Sequence, residues 1–297
     1  MLWQIEDLLK EKDVEYEKRR SLRSFSSIKI GGKAELVIFP KSDEDLITSV
    51  DMLRRANIPY RVFGRMSNLL LPDGDLSLAV IKTDRFSKLS FDGAVISASA
   101  GVNLPLLSSL CSGAGLSGLE ELSGIPGSLG GAIYGNAGAF GREICELILA
   151  VRVYIPRENR VVRLSANELW FSYRKSSFTG SDHLILSAEL SLKSADPTSV
   201  KEKVREYREI RKANAPCEPS LGSVFKRPKS GYASKMIDES GLRGFRIGGA
   251  EISRVHAGYI VNLGTATSSD VKSLVSLAEK RVMENFGVRL EREIEYI

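Results

Sequence analysis

The placement of glycine constrains this chain more than any other feature. Eleven of its 26 glycines fall between residues 101 and 141, in AGVNLPLLSSLCSGAGLSGLEELSGIPGSLGGAIYGNAGAFG; average usage would put about three there. A long helix through this stretch is disfavoured, since each glycine in a helix interior costs about 0.5–1 kcal/mol relative to alanine. The glycines alternate with apolar residues and small hydroxyls, which leaves many backbone N–H groups able to face an anion. A loop-rich patch of tight turns is the plainer reading, and for one isolated glycine pair it would suffice.

The flanking segments have regular patterns. AELVIFP, DEDLITSVDMLRRANI and YRVFG predict strand, helix and strand, and LSLAVIKT predicts a further strand. The loop GRMSNLL therefore sits at a strand's carboxyl end, where α/β sheets commonly bind ligands. The first twenty residues carry Leu2, Ile5, Leu8 and Leu9 at helical spacing among charges, which predicts a surface helix and not a signal peptide. VRVYIP and RVVRLS about ENR predict a hairpin, and HLILSAELSL a strand. A charged helix, SADPTSVKEKVREYREIRKANAP, then marks a domain boundary near residue 197. Beyond it, VFKRP, VHAGYIVN and VRLEREIEYI predict strands, with His256 a half-buried strand residue; ASKMIDESGL and SSDVKSLVSLAEKRVMENFG predict helices. The expected class is α+β.

Composition removes several functions. Lys and Arg number 42 and Asp and Glu 37, a net charge of +5, but the basic residues are interspersed with acidic ones, as in REYREIRK. A small anionic ligand is expected rather than nucleic acid. No apolar run approaches the ~20 residues that span a bilayer, so no membrane role is expected. Three cysteines without a C-x-x-C pair suggest neither a disulfide framework nor a zinc site, and a reducing cytoplasm is the simplest setting. With only His183 and His256 available, no metal is expected. P-loop, Rossmann and H-E-x-x-H signatures are absent.

In order along the chain, SFSSIKIGG, GRMSNLL, GLSGLEELSGIPGSLGGAIYGNAGAFG, FSYRKSSF, GSVFKRP and LEREI resemble the UDP-N-acetylenolpyruvoylglucosamine reductase family. The likeness runs from about Phe25 to Ile294, and GIPGSLGGA followed by NAGAFG is its most specific part. The overall length is that of the family's shorter type, without the tyrosine-bearing loop. The resemblance implies an FAD-binding domain of the vanillyl-alcohol-oxidase type over residues 1–196, in two subdomains dividing near residue 80. A smaller α+β substrate domain over 197–297 would follow, its last strand able to return to the first subdomain. It implies FAD and NADPH as cofactors, a UDP-sugar substrate, a monomer and a place in cell-wall precursor synthesis.

By the same resemblance, Gly64, Arg65, Met66, Ser67 and Asn68 with Gly124, Ile125, Pro126, Gly127 and Ser128 would hold the FAD pyrophosphate. Ala132, Asn136 and Gly138 would lie along the cofactor. Arg174, Ser223 and Glu293 match the catalytic positions, and Tyr173, Lys226 and Arg227 would meet substrate. Taken singly, Arg174 reads as a solvated side chain, Ser223 as turn chemistry and Glu293 as a solvent-facing carboxylate. Their occurrence together and in order raises all three. An uncharged glycine-rich cradle can hold a diphosphate by N–H groups, without lysine.

The chain departs from the family at Arg65 and Met66, where residues that take positive φ freely are usual, at Arg227 in place of asparagine, and at Glu295 in place of a basic residue. Two other functions suit parts of the pattern: an FAD-dependent oxidase of a small alcohol or hydroxy acid, and a non-catalytic nucleotide-sugar binding protein.

Overall fold

The computed structural model describes residues 2–297, with side chains from residue 5 onward, so Leu2 lies outside the described side chains. Two compact units divide the chain. One takes the residues up to Lys18, Leu36–Arg65 and Ser77–Glu209; the other takes Arg19–Glu35, Met66–Leu76 and Ile210–Ile297.

In the first unit the strand–helix–strand opening forms as its pattern predicts. Ser42 accepts the Asp45 amide and caps the helix Asp43–Arg55, whose first turn holds Asp43, Glu44 and Asp45 and whose last holds Arg54 and Arg55. Charges at both ends thus oppose the helix dipole. Leu46, Val50 and Leu53 form its buried stripe. The strand Tyr60–Phe63 pairs in parallel with Leu76–Lys82, Phe63 opposite Lys82, which delivers Gly64 to the carboxyl end of a strand.

The amino-terminal helix is shorter than its charge pattern suggests. It stops at Glu11, Asp13 turns the chain at φ 52°, and Glu15–Ser21 form an edge strand. Val14, buried just ahead of it, joins the Leu36 and Leu46 core, and the strand's charges protect an exposed edge.

A second core of this unit lies on a five-stranded antiparallel sheet ordered Arg160–Ser165, Ile148–Ile155, Leu184–Ser191, Val95–Ser99, Leu89–Asp92. The expected hairpin closes with Ile155 opposite Arg160. Helices Leu104–Gly113 and Leu129–Tyr134 contribute Leu104, Leu107, Leu129 and Ile133 to this core.

The second unit holds a four-stranded sheet ordered Ser220–Ser223, Tyr259–Asn262, Ala250–Ile252, Arg246–Ile247, with helices Ala233–Glu239 and Ser268–Phe286. Thr267 and Asp270 form a capping box on the longer helix, and Gly287 ends it at φ 65°. Ile28, Ile30 and Leu70 are buried in the same core as Leu221, Ile260 and Leu274. Residues 19–35 and 66–76 therefore belong with the carboxyl-terminal unit, and the change of unit after Glu209 falls inside the helix Pro197–Asn214. The final strand, Glu295–Tyr296, runs parallel to Leu69–Leu70.

Three expected strands differ in extent. Regular pairing stops at Ser223, and VFKRP contributes a single bridge, Phe225 to Arg292; within the last ten residues only Glu295–Tyr296 is strand. His256 lies in the turn ahead of Tyr259–Asn262, where its Nδ1 accepts the Gly258 amide at 3.1 Å.

Candidate active site

The loop beginning at Gly64 is packed too tightly for any side chain there. A Cβ on Gly64 would lie 2.1 Å from Ser128 Oγ, so the two glycine-rich loops touch at this point. Behind Gly64, the wholly buried Lys82 donates its ammonium to the Gly64 carbonyl and stands 3.2 Å from Asp84 Oδ2. Burial holds the Lys82 ammonium below the usual lysine range, an effect Asp84 offsets in part. The cradle is thus backed by a lysine the sequence reading did not require. Its signal was a lysine directly after the apolar run LAVI at residues 78–81. Met66 takes the left-handed conformation at φ 53°, and its 3% exposure shows apolar burial offsetting that strain, which is of order 1 kcal/mol. Arg65 is exposed.

In the second loop, Ser128 is buried and caps the helix Leu129–Tyr134 by accepting the Gly131 amide. The Gly127 carbonyl accepts Leu104 N at 3.0 Å. Arg208 reaches in from the helix Pro197–Asn214 to the Ser123 carbonyl at 3.3 Å, the Pro105 carbonyl at 2.7 Å and Ser109 Oγ at 2.9 Å. Ala132 faces the core. The Ser123 hydroxyl is buried and has no hydrogen-bond partner among the described residues.

Both loops leave amides unspent. Among the described residues, no protein group accepts from the backbone N–H of Arg65, Met66, Ser67 or Asn68, nor from that of Gly124, Gly127 or Ser128. Unpaired amides in glycine-rich loops are what an anion such as a diphosphate requires. The residues present therefore fit FAD.

Beyond these loops, Asn136 is fully buried at φ 41° and its side chain is committed inward. It donates to Glu143 at 2.7 Å and to the Ser172 carbonyl at 3.0 Å, and it accepts from Cys145 N. Its backbone N–H is taken as well, donating to the Ile133 carbonyl at 3.2 Å. These bonds fix a hairpin of Phe171–Ser172 and Lys175–Ser176, which Ser176 Oγ also ties to the Tyr134 carbonyl at 2.7 Å. Arg174 sits at the tip, half-buried at φ 57°. Its guanidinium donates to the Gly138 carbonyl at 3.2 Å and lies 4.9 Å from the Tyr173 ring, which is exposed. Glu143, Lys82 and Arg208 are positioning groups the sequence reading missed.

In the second unit, a bulge re-aims the end of the strand carrying Ser223: the pairing skips from Ser220 with Val261 to Ser223 with Tyr259, and Gly222 takes φ 76°. Ser223 is exposed. The next residues pair with the last segment of the chain, Glu293 N to the Val224 carbonyl and Lys226 N to the Glu291 carbonyl, both at 2.8 Å. Ser223 and Glu293 thus come together on one ladder. Asn68 Nδ2 donates to the Glu293 carbonyl at 2.9 Å, and the Asn68 carbonyl accepts Glu295 N at 2.9 Å. Lys226 is ion-paired with Glu291, and the Arg227 guanidinium lies 4.1 Å from the Tyr232 ring.

Residues 34–165 match an FAD-binding domain, and residues 213–297 match the UDP-N-acetylenolpyruvoylglucosamine reductase C-terminal domain. A UDP-N-acetylenolpyruvoylglucosamine reductase of Caldicellulosiruptor bescii is 40% identical over 297 residues, 99% of this chain and 94% of that protein. The chain belongs to this family. The enzyme of that name from Thermotoga maritima is 41% identical over 92% of this chain and 96% of its own. The crystal structure of the Thermus caldophilus reductase aligns with a TM-score of 0.80 at 35% identity, over 95% of this chain and 98% of that one. Berberine bridge enzyme, 13% identical with a TM-score of 0.51 over 65% of this chain and 43% of its own, shares the fold alone. The FAD-binding match holds both glycine-rich loops, Asn136 and Gly138; the reductase match holds Ser223, Lys226, Arg227 and Glu293.

Proposed function

We propose that the protein reduces the enolpyruvyl ether of UDP-N-acetylglucosamine-enolpyruvate to the lactyl ether of UDP-N-acetylmuramate, with NADPH as reductant. The observation that carries this reading is the backbone pairing of Val224 with Glu293, with Ser223 next to Val224, in a chain of this family. Bound FAD supplies the hydride carrier between NADPH and the vinyl carbon. Gly64–Asn68 and Gly124–Ser128 hold its diphosphate through their unspent amides.

Each catalytic residue answers a separate demand. Hydride addition to the vinyl carbon pushes electron density onto the substrate carboxylate as an enolate. Arg174 grips that carboxylate, and its planar fork gains most where the charge grows. In its carboxylic-acid form, Glu293 would hydrogen-bond the same developing oxyanion. Ser223 gives its hydroxyl proton to the adjacent carbon, completing the reduction. Tyr173, Lys226 and Arg227 contact the substrate; for Lys226 this means exchanging Glu291 for a UDP phosphate.

No helix among the described residues is long and apolar enough to cross a membrane, and a monomer acting in the cytoplasm completes the proposal. The purified protein tests it. Acid precipitation should release FAD into the supernatant, and anaerobic NADPH should bleach the bound flavin. NADPH consumption should then depend on the enolpyruvyl sugar. Flavin with turnover of an alcohol would favour an oxidase, and a protein that takes up no flavin a binding protein.

A further inference from the structure

The buried lysine behind the first glycine-rich loop has no task in the mechanism above. Lys82 is 0% exposed at the end of the strand Leu76–Lys82. Burying an ammonium is expensive unless it is paired and hydrogen-bonded, and an apolar side chain of similar volume commonly serves a fold as well or better. Here the partners of the ammonium include the Gly64 carbonyl and the Asp84 carboxylate.

The peptide geometry then dictates what this contact does. No peptide bond among the described residues is cis, so the Gly64 carbonyl and the Arg65 N–H point in opposite directions. With the carbonyl turned onto Lys82, the Arg65 N–H faces away from it, and that amide donates to no described protein group. Ser128 backs Gly64, leaving no room for a side chain that could reorganise the turn. A cation on the carbonyl also polarises the peptide, which makes its N–H a stronger donor in a site of low dielectric.

We propose that Lys82 is a positioning residue for the cofactor diphosphate, turning the Gly64–Arg65 peptide so that the Arg65 amide meets the anion and strengthening that amide as a donor. The proposal rests on the flavoenzyme reading and deepens it. Asp84 Oδ2, 3.2 Å from the buried ammonium, favours its charged form, and Asp84 Oδ1 is buried without a hydrogen-bond partner among the described residues.

The test compares the apoproteins of wild type, Lys82→Met and Lys82→Met/Asp84→Asn. Each is titrated with FAD and with riboflavin, which lacks the diphosphate, following flavin fluorescence, and each is melted without ligand. The double variant removes the carboxylate the single one leaves unpaired, so misfolding of the single variant does not decide the matter. Lys82 in its proposed role predicts melting close to wild type, FAD binding weakened about 10- to 150-fold and riboflavin binding unchanged. Unchanged FAD affinity overturns the proposal. So does equal weakening of FAD and riboflavin with a lowered melting temperature, the mark of a merely structural lysine. A wild-type protein that binds no FAD would instead overturn the flavoenzyme reading, and this proposal with it.

Discussion

Gly64 and Ser128 interlock with no room for a methyl group: a Cβ on residue 64 would lie 2.1 Å from the Ser128 hydroxyl oxygen and 3.1 Å from its Cβ. The same hydroxyl caps the helix Leu129–Tyr134. A substitution at Gly64 therefore either strips the cap or parts two loops that carry unspent amides.

Gly64→Ala should destabilise the apoprotein by about 1–2 kcal/mol, the cost of a lost cap with some local displacement. It should also lower FAD content. Urea unfolding together with the ratio of flavin to protein absorbance checks both. Wild-type values for each would mean that the loops do not act as one cradle.

Arg174 presents its guanidinium from a hairpin tip tied down by Asn136 and Ser176. Arg174→Lys keeps the charge but removes the planar fork, and should cost about 2–4 kcal/mol in the transition state, a 30- to 1000-fold slower reduction of the enolpyruvyl ether. Steady-state kinetics measure this, and undiminished turnover would remove Arg174 from its assigned role.

Acid should weaken the fold through His256. Burial, with Arg243 nearby, holds its imidazole below the ordinary pKa, and protonation of Nδ1 would end its bond from Gly258 N. The unfolded chain takes up a proton near pH 6.5 and the folded chain only at lower pH. The contribution to stability is therefore full above about pH 6.5 and declines as pH falls from there through the folded value. An NMR titration of the His256 ring should give a pKa below 6.5; a value at or above it would contradict this assignment.

Local pattern carried much of the fold. The helix Asp43–Arg55 was legible because its cap, charged ends and apolar stripe agree, and the hairpin through Ile155 and Arg160 because both strands flank a short polar turn. Non-local packing was not legible. Ile28, Ile30 and Leu70 look like any apolar residues in sequence, yet they complete the core built by Leu221 and Leu274, which moves residues 19–35 and 66–76 to the second unit. The strand Glu15–Ser21 was hidden because its charges suit a solvated helix as well as an edge strand. In the site, glycine content pointed to the two loops, and the family resemblance marked Arg174, Ser223 and Glu293. Neither could show that Asn136 spends its side chain on Glu143 and Ser172, or that Lys82 turns inward, since both depend on backbone that folds back from elsewhere in the chain.

Ser223 divides the proposed reaction most cleanly. Reduction of flavin by NADPH requires no proton donor to carbon, whereas reduction of the vinyl ether ends with a proton placed on a specific carbon. Stopped-flow absorbance of Ser223→Ala, one half-reaction at a time, should show bleaching by NADPH at nearly the wild-type rate and re-oxidation by the enolpyruvyl sugar slowed ~100-fold or more. Equal slowing of both half-reactions, or of neither, would contradict the proton-donor role and with it the account of this site.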